Sequence, residues 1–139
     1  MSASYTQEIA LFALGLHPIG IDVEREREVV GADAVARSYF ADAEHARWRA
    51  ERTPATQFMT YWTRKEAYLK ALGLGFEHPP RAVDASRGDD AGMIFNALDG
   101  FESLRWTVLS FHPSRGHTAA IAHARAPDIS YRWLTGIAT

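Results

Sequence analysis

The chain has 139 residues, of which 47% are hydrophobic and 23% charged, with a formal net charge of −2 and no cysteine. That length suits one domain, 1–139, with a proper buried core. The weak acidity and interspersed signs argue against a broad polyanion-binding surface, and the missing cysteines exclude a disulfide framework and fit a cytoplasmic protein.

No signal-peptide pattern opens the chain, and the apolar run Ile9 to Leu16 lacks a basic leader and is too short to span a bilayer. No membrane association is expected. Glu8 to Leu16 reads as a short buried strand, followed by a turn at Gly15-Leu16-His17-Pro18. Ile19, Ile21 and Val23 then alternate with Gly20, Asp22 and Glu24, the period of a half-buried strand. On that reading the three apolar residues face the core. Asp22 and Glu24 share the other side, with Gly20 leaving open space beside them.

Gly31 to Phe40 reads as a helix, and Asp42 as the N-cap of a second one running to about Arg52. Thr53-Pro54 opens a third and longest helix, ended by Gly73 and Gly75. A loop-like stretch from Gly73 to Gly92 follows. Leu104, Trp106 and Val108 alternate with Arg105 and Thr107, and a second strand runs from His117 to Ala124 after a turn, so the pair reads as a hairpin. Ile129 to Leu134 is a candidate last strand. Strands, helices and strands in that order predict an α+β fold, an antiparallel sheet packed against a long helix with two shorter ones.

Two segments carry the chemistry. Asp22 and Glu24 have α-carbons roughly 6–7 Å apart on one strand face, close enough to converge on a cation. Magnesium and manganese prefer such oxygens, with waters and substrate phosphates completing the shell. A solvated face paired with Arg25 and Arg27 is the plain alternative for these two acids. On the long helix, Ala55, Phe58, Met59, Trp62, Leu69 and Leu72 form one stripe. Lys65 and Glu66 fall within it on opposite flanks, and Lys70 sits at its edge. A half-buried Glu66 needs a partner. A cation shared with Asp22 and Glu24 would serve, leaving Lys65 and Lys70 beside any anion the metal holds. The alternative is an exposed Glu66–Lys70 pair one turn apart, worth about 0.2–0.5 kcal/mol. Phe58, Trp62 and Leu69 are read as core.

Gly20-Ile21-Asp22-Val23-Glu24, with Trp62-Thr63-Arg64-Lys65-Glu66-Ala67-Tyr68-Leu69-Lys70 placing Glu66 44 positions after Asp22, resembles the 4'-phosphopantetheinyl transferases. The likeness is to the second half of the surfactin-synthetase-activating type, and Gly73-Leu74-Gly75-Phe76 matches its glycine loop. The resemblance implies transfer of the phosphopantetheine arm of coenzyme A to a serine of an apo acyl or peptidyl carrier protein, releasing adenosine 3',5'-bisphosphate. It implies magnesium, or manganese in its place, on Asp22, Glu24 and Glu66. Glu66 becomes the candidate base, Lys70 the pyrophosphate contact that assists the leaving group, and Lys65 a lysine beside it.

Ser4-Tyr5-Thr6 stands where the family has a Ser-His-Ser segment, so Ser4 and Tyr5 are the candidate nucleotide contacts, with Tyr5 in the place of the histidine. The family's other half has no counterpart here. That favours self-association as a trimer or dimer, or a separate partner half. A domain that holds coenzyme A or a carrier protein without turnover is the alternative function. The Arg47, Arg49, Arg52 and Trp48 stretch also carries Glu44 and Glu51, and nucleic-acid binding is not expected. The histidines lack metal-ligand spacing and read as turn or surface residues, and Ser110 and Ser114 lack a nucleophile context.

Overall fold

The computed structural model describes residues 1–73, 79–86 and 106–124. Strands β1 (Ser2–Tyr5), β2 (Ala10–Ala13) and β3 (Ile19–Arg25) precede helices α1 (Ala32–Tyr39), α2 (Asp42–Arg49) and α3 (Pro54–Leu72). Strands β4 (Trp106–Phe111) and β5 (His117–Ala124) follow. The fold is the expected α+β arrangement. β3, β5 and β4 form an antiparallel sheet in that order, with β1 and β2 as a separate ribbon. The Leu74-Gly75-Phe76 part of the glycine loop, Leu104, and the strand expected at Ile129 to Leu134 lie outside the described residues. Among the described residues no helix is long and apolar enough to cross a membrane.

α3 lies across one face of the sheet. Ala67, Tyr68, Leu69 and Ala71 pack on Trp106 and Val108 of β4 and on Ala120, Ala122 and Ala124 of β5. Gly20 pairs with Ala122 and Asp22 with Ala120, so β3 turns its glycine and acids toward the same helix. The row of alanines lets the helix backbone come close. At Gly20 it comes closest, because a Cβ there would stand 1.9 Å from the Ala67 carbonyl oxygen. The open space expected beside Gly20 is therefore filled by α3. β3 is buried on both faces rather than on one.

The opposite sheet face, with Ile19, Ile21, Ile121, Leu109 and Phe111, packs on Leu11 and Ala13 of the ribbon. β2 is shorter than expected and is not a buried strand: its residues alternate outward and inward, with Ala10 and Phe12 exposed. The ribbon meets the edge of β3 through hydroxyls. Ser2 Oγ accepts the Ile21 N–H at 3.1 Å and Ser4 Oγ the Val23 N–H at 3.2 Å, so β3's outer amides are satisfied without a backbone ladder.

α3 begins with Pro54 in its first turn and stops at Gly73, whose φ of 71° is a left-handed conformation that glycine adopts without strain. α2 ends at Arg49, and Asp42 is its first residue rather than its cap. The carboxylate of Glu44 accepts the Ala41 N–H at 2.7 Å and closes that helix end instead. A second core of Ala36, Phe40, Trp48, Phe58, Met59 and Tyr61 joins the three helices. Because α3 touches the sheet, α1, α2 and residues 79–86, it is buried round most of its circumference. Tyr61, Thr63, Arg64 and Lys65 are buried with the expected Phe58, Met59 and Leu69, whereas Trp62 is half-buried. His117 and His123 are buried too, contrary to the surface role read from sequence, and burial pushes the His123 imidazole below its ordinary pKa.

Candidate functional site

β3 and α3 bring Asp22, Glu24, Glu66 and Lys70 to one place. Lys70 reaches back from the last turn of α3 and places Nζ 2.7 Å from Asp22 Oδ1 and 3.2 Å from the Ile21 carbonyl. The alternative reading, a Glu66–Lys70 pair, is not among the ion pairs of the described residues. Lys70 crosses to the strand instead, since the neighbouring carboxylate on β3 is the better-buried partner. Ser4 Oγ also donates to Asp22 Oδ1, at 2.9 Å. Asp22 is only 4% exposed, yet its Oδ2 has no hydrogen-bond partner among the described residues. A buried carboxylate oxygen without a partner is costly and implies a missing ligand or solvent.

The neighbouring acids feel that charge. Burial, with Asp22 beside it, pushes the Glu24 carboxyl above its ordinary pKa, against the pull of Arg27 and Lys70. Burial and then Asp22 raise the Glu66 carboxyl as well; Lys70 opposes this and Glu24 adds to it. Glu24 and Glu66, both raised and both facing the Asp22 charge, form with it a cluster short of positive charge. This donor set, all oxygen with one unpartnered atom, fits a hard divalent cation. As placed, however, no three acidic or histidine side chains among the described residues stand together ready to hold a metal ion. Lys70 takes one oxygen of Asp22, and the Tyr39 hydroxyl donates to Oε1 of Glu66.

The other residues expected at the site separate. Ser4 is in it, bonded to Asp22, but Tyr5 is 81% exposed on the outer face of β1, away from the acids. Strand alternation explains the split. Lys65 is not presented to this surface at all. It is fully buried, 2.6 Å from Glu44 Oε2, and donates to the carbonyls of Pro80, at 2.8 Å, and Val83. Glu44 also accepts the Ala85 N–H. Burial lowers the Lys65 pKa and raises that of Glu44, each opposed by the attraction of the other. Residues 65 and 66 are about 100° apart on a helix, which sends one charge to the interior and its neighbour to the acids.

Sequence reasoning missed Glu44 and Tyr39. A lysine inside an apolar arc was the signal for a buried acid such as Glu44. For Tyr39 the signal was weaker, an aromatic residue one turn ahead of a carboxylate at Trp62 and Glu66, which together make a receptor for another ring bearing a hydroxyl. In the Arg-rich stretch Trp48 is core and donates to the Pro54 carbonyl at 2.8 Å, and Arg47 bonds Ser86 Oγ at 3.0 Å.

Residues 18–122 match the family described as the 4'-phosphopantetheinyl transferase superfamily. A 4'-phosphopantetheinyl transferase, HetI, of Nostoc sp. is 39% identical over 124 residues, covering 87% of this chain and 50% of the relative. A phosphopantetheinyl transferase of Thraustochytrium sp. is 27% identical over 144 residues, with the same coverages of 87% and 50%. The 4'-phosphopantetheinyl transferase gsp of Aneurinibacillus migulanus is 34% identical over 79 residues, 55% of this chain and 32% of the relative. This chain thus spans half or less of the length of these relatives. In fold, it is similar to the crystal structure of Thermotoga maritima holo-[acyl-carrier-protein] synthase, with a TM-score of 0.56 and 21% identity over 79% of this chain and 64% of that one.

Proposed function

The chain belongs to the 4'-phosphopantetheinyl transferase superfamily, and from that premise and its acidic cluster we propose that it transfers the 4'-phosphopantetheine arm of coenzyme A to a serine of an apo carrier protein. The observation that carries the reading is the buried Asp22 carboxylate with an unpartnered Oδ2 beside two other acids. In the reaction the serine oxygen bonds to the phosphorus that bears the pantetheine arm. The pyrophosphate bridge breaks, and adenosine 3',5'-bisphosphate leaves. Glu66, with its raised pKa, takes the serine proton directly or through a water. Lys70 keeps a part-exposed ammonium at the edge of the cluster, where it can face the leaving phosphate.

Asp22, Glu24 and Glu66 are the residues that would hold magnesium. When bound, the cation neutralises charge on the non-bridging phosphate oxygens. Ser4 holds Asp22 in place, and we assign it that task rather than direct contact with the nucleotide.

We further propose that a second half-domain completes the site, supplied by another copy of this chain. Tyr5, Phe12 and Leu14 stand 81%, 71% and 76% exposed on or beside the outer face of the ribbon, an apolar surface that another half would cover. The test is mass spectrometry of apo carrier proteins incubated with coenzyme A, magnesium and the chain, with the solution mass of the same sample read by light scattering. Gain of the phosphopantetheine mass, abolished by Glu66→Gln, is expected from an oligomer. No gain with any of several carriers at high enzyme concentration refutes the transferase reading. Tight coenzyme A binding without transfer would instead mark a binding domain, and a clean monomer at micromolar concentration refutes self-association.

A further inference from the structure

α1 ends at Tyr39, where its side chain meets two residues of α3 that are one helical turn apart. The Tyr39 ring stacks on Trp62 with centroids 4.1 Å apart and planes 16° from parallel. Trp62 in turn stacks on Phe58 at 6.1 Å and 17°. The phenolic oxygen lies in the plane of its ring, so a ring clamped face-on has its hydroxyl clamped too. That hydroxyl donates to Oε1 of Glu66. Trp62 and Glu66 are i and i+4 on α3, which puts the indole and the carboxylate side by side.

We propose that Tyr39 is the positioning residue of Glu66: stacked on Trp62, it holds one carboxylate oxygen and leaves the other for the cation and the serine proton. Outer hydrogen bonds of this kind orient ligating carboxylates, and their loss typically costs about 10–100-fold in metal affinity. The aromatic residue of the helix motif then has a function besides packing, as the platform for the tyrosine. The inference rests on the transferase reading for the use to which Glu66 is put, but the clasp itself does not need the metal.

The test uses the full chain and Tyr39→Phe, which keeps the stack and removes the hydroxyl. Manganese affinity is read by electron paramagnetic resonance. Thermal unfolding without metal is read for Tyr39→Phe, Glu66→Ala and the double variant. If the wild type binds manganese, a tenfold or greater weakening in Tyr39→Phe supports the proposal, and any smaller change overturns it. If the wild type binds no manganese even with coenzyme A present, the cation assignment fails and the unfolding cycle decides the positioning alone. A smaller effect of Tyr39→Phe on the melting temperature in the Glu66→Ala background than in the wild type supports the clasp. An equal effect in both backgrounds overturns it.

Discussion

Replacing Gly20 by alanine tests whether the contact between β3 and α3 sets the site. The new Cβ would stand 1.9 Å from the Ala67 carbonyl oxygen, 2.5 Å from the Ala71 nitrogen and 3.0 Å from the Ala67 carbonyl carbon. All three are backbone atoms of a helix interior, so no side chain can turn aside. Ordinary contact begins near 3.4 Å, and the helix would have to retreat by about 1.5 Å. Overpacking of that kind costs ~1–3 kcal/mol. The upper end is expected here, since α3 is wedged between the sheet and the other helices and cannot move alone. At ~3–5 °C per kcal/mol for a chain of this size, the melting temperature should fall by ~8 °C or more. The same retreat opens the 2.7 Å Lys70–Asp22 contact beyond pairing distance and carries Glu66 away from Asp22 and Glu24. Displacement by 1 Å costs on the order of 10²-fold in rate where geometry matters, so transfer to a carrier protein should drop at least that far even below the melting temperature. Urea unfolding and the mass-spectrometric transfer assay read the two effects. Stability within ~0.5 kcal/mol of wild type and unchanged transfer would refute the close approach and the site built on it.

Glu44→Ala leaves the Lys65 ammonium buried without its counter-charge and should destabilise by ~3–5 kcal/mol in urea unfolding. The double change Glu44→Leu with Lys65→Met should recover most of that loss; a single variant within ~1 kcal/mol of wild type would show that the pair is not the strut described. Glu24→Gln acts in the opposite direction. Glu24 and Glu66 have folded pKa values raised above their unfolded ones, so in the window between the two values the folded state holds more protons. Their contribution to stability is present in acid and lost as pH rises through the folded pKa. In chelator at pH 7, Glu24→Gln should therefore gain ~0.5–2 kcal/mol, a gain that vanishes below pH ~4.3, the unfolded value for glutamate. Thermal melts across that range check it, and a net loss at pH 7 would contradict the crowding of acids on which the cation site depends.

The strands and helices that carry the site were legible because their periods are clean. Ile19, Ile21 and Val23 alternate, and Thr53-Pro54 and Gly73 bracket α3, so β3 and α3 stand where sequence puts them. β1 was not legible as a strand. Ser2 to Tyr5 has little apolar pattern, and it is held by hydroxyls on the β3 edge rather than by a core face. The space beside Gly20 was misread because a glycine on a strand signals equally an opening or a close approach, and only the alanines of the partner strand decide for the approach. Those alanines, Ala120, Ala122 and Ala124, were in view but unpaired with Gly20 until the register of β3 on β5 joined them.

The charges of α3 divide for the same reason. A helix with one buried stripe can send Lys65 and Glu66 to its two flanks as a matched pair of surface groups. A helix buried nearly all round cannot, and each charge must find a partner in the direction it points. Lys65 finds Glu44 and two carbonyls and ties residues 80–85 to α2. Glu66 finds the Tyr39 hydroxyl and repulsion from Asp22 and Glu24, which Lys70, paired directly with Asp22, offsets only in part. The first set is closed, with its charges matched by protein groups alone. The second is left with an unmet negative charge and an unpartnered oxygen. That imbalance makes a short helix motif two different things, a strut at Lys65 and a binding site at Glu66. It also predicts which lysine change is rescued by an apolar partner: Lys65→Met by Glu44→Leu, whereas no apolar change at Asp22 should restore transfer to Lys70→Met.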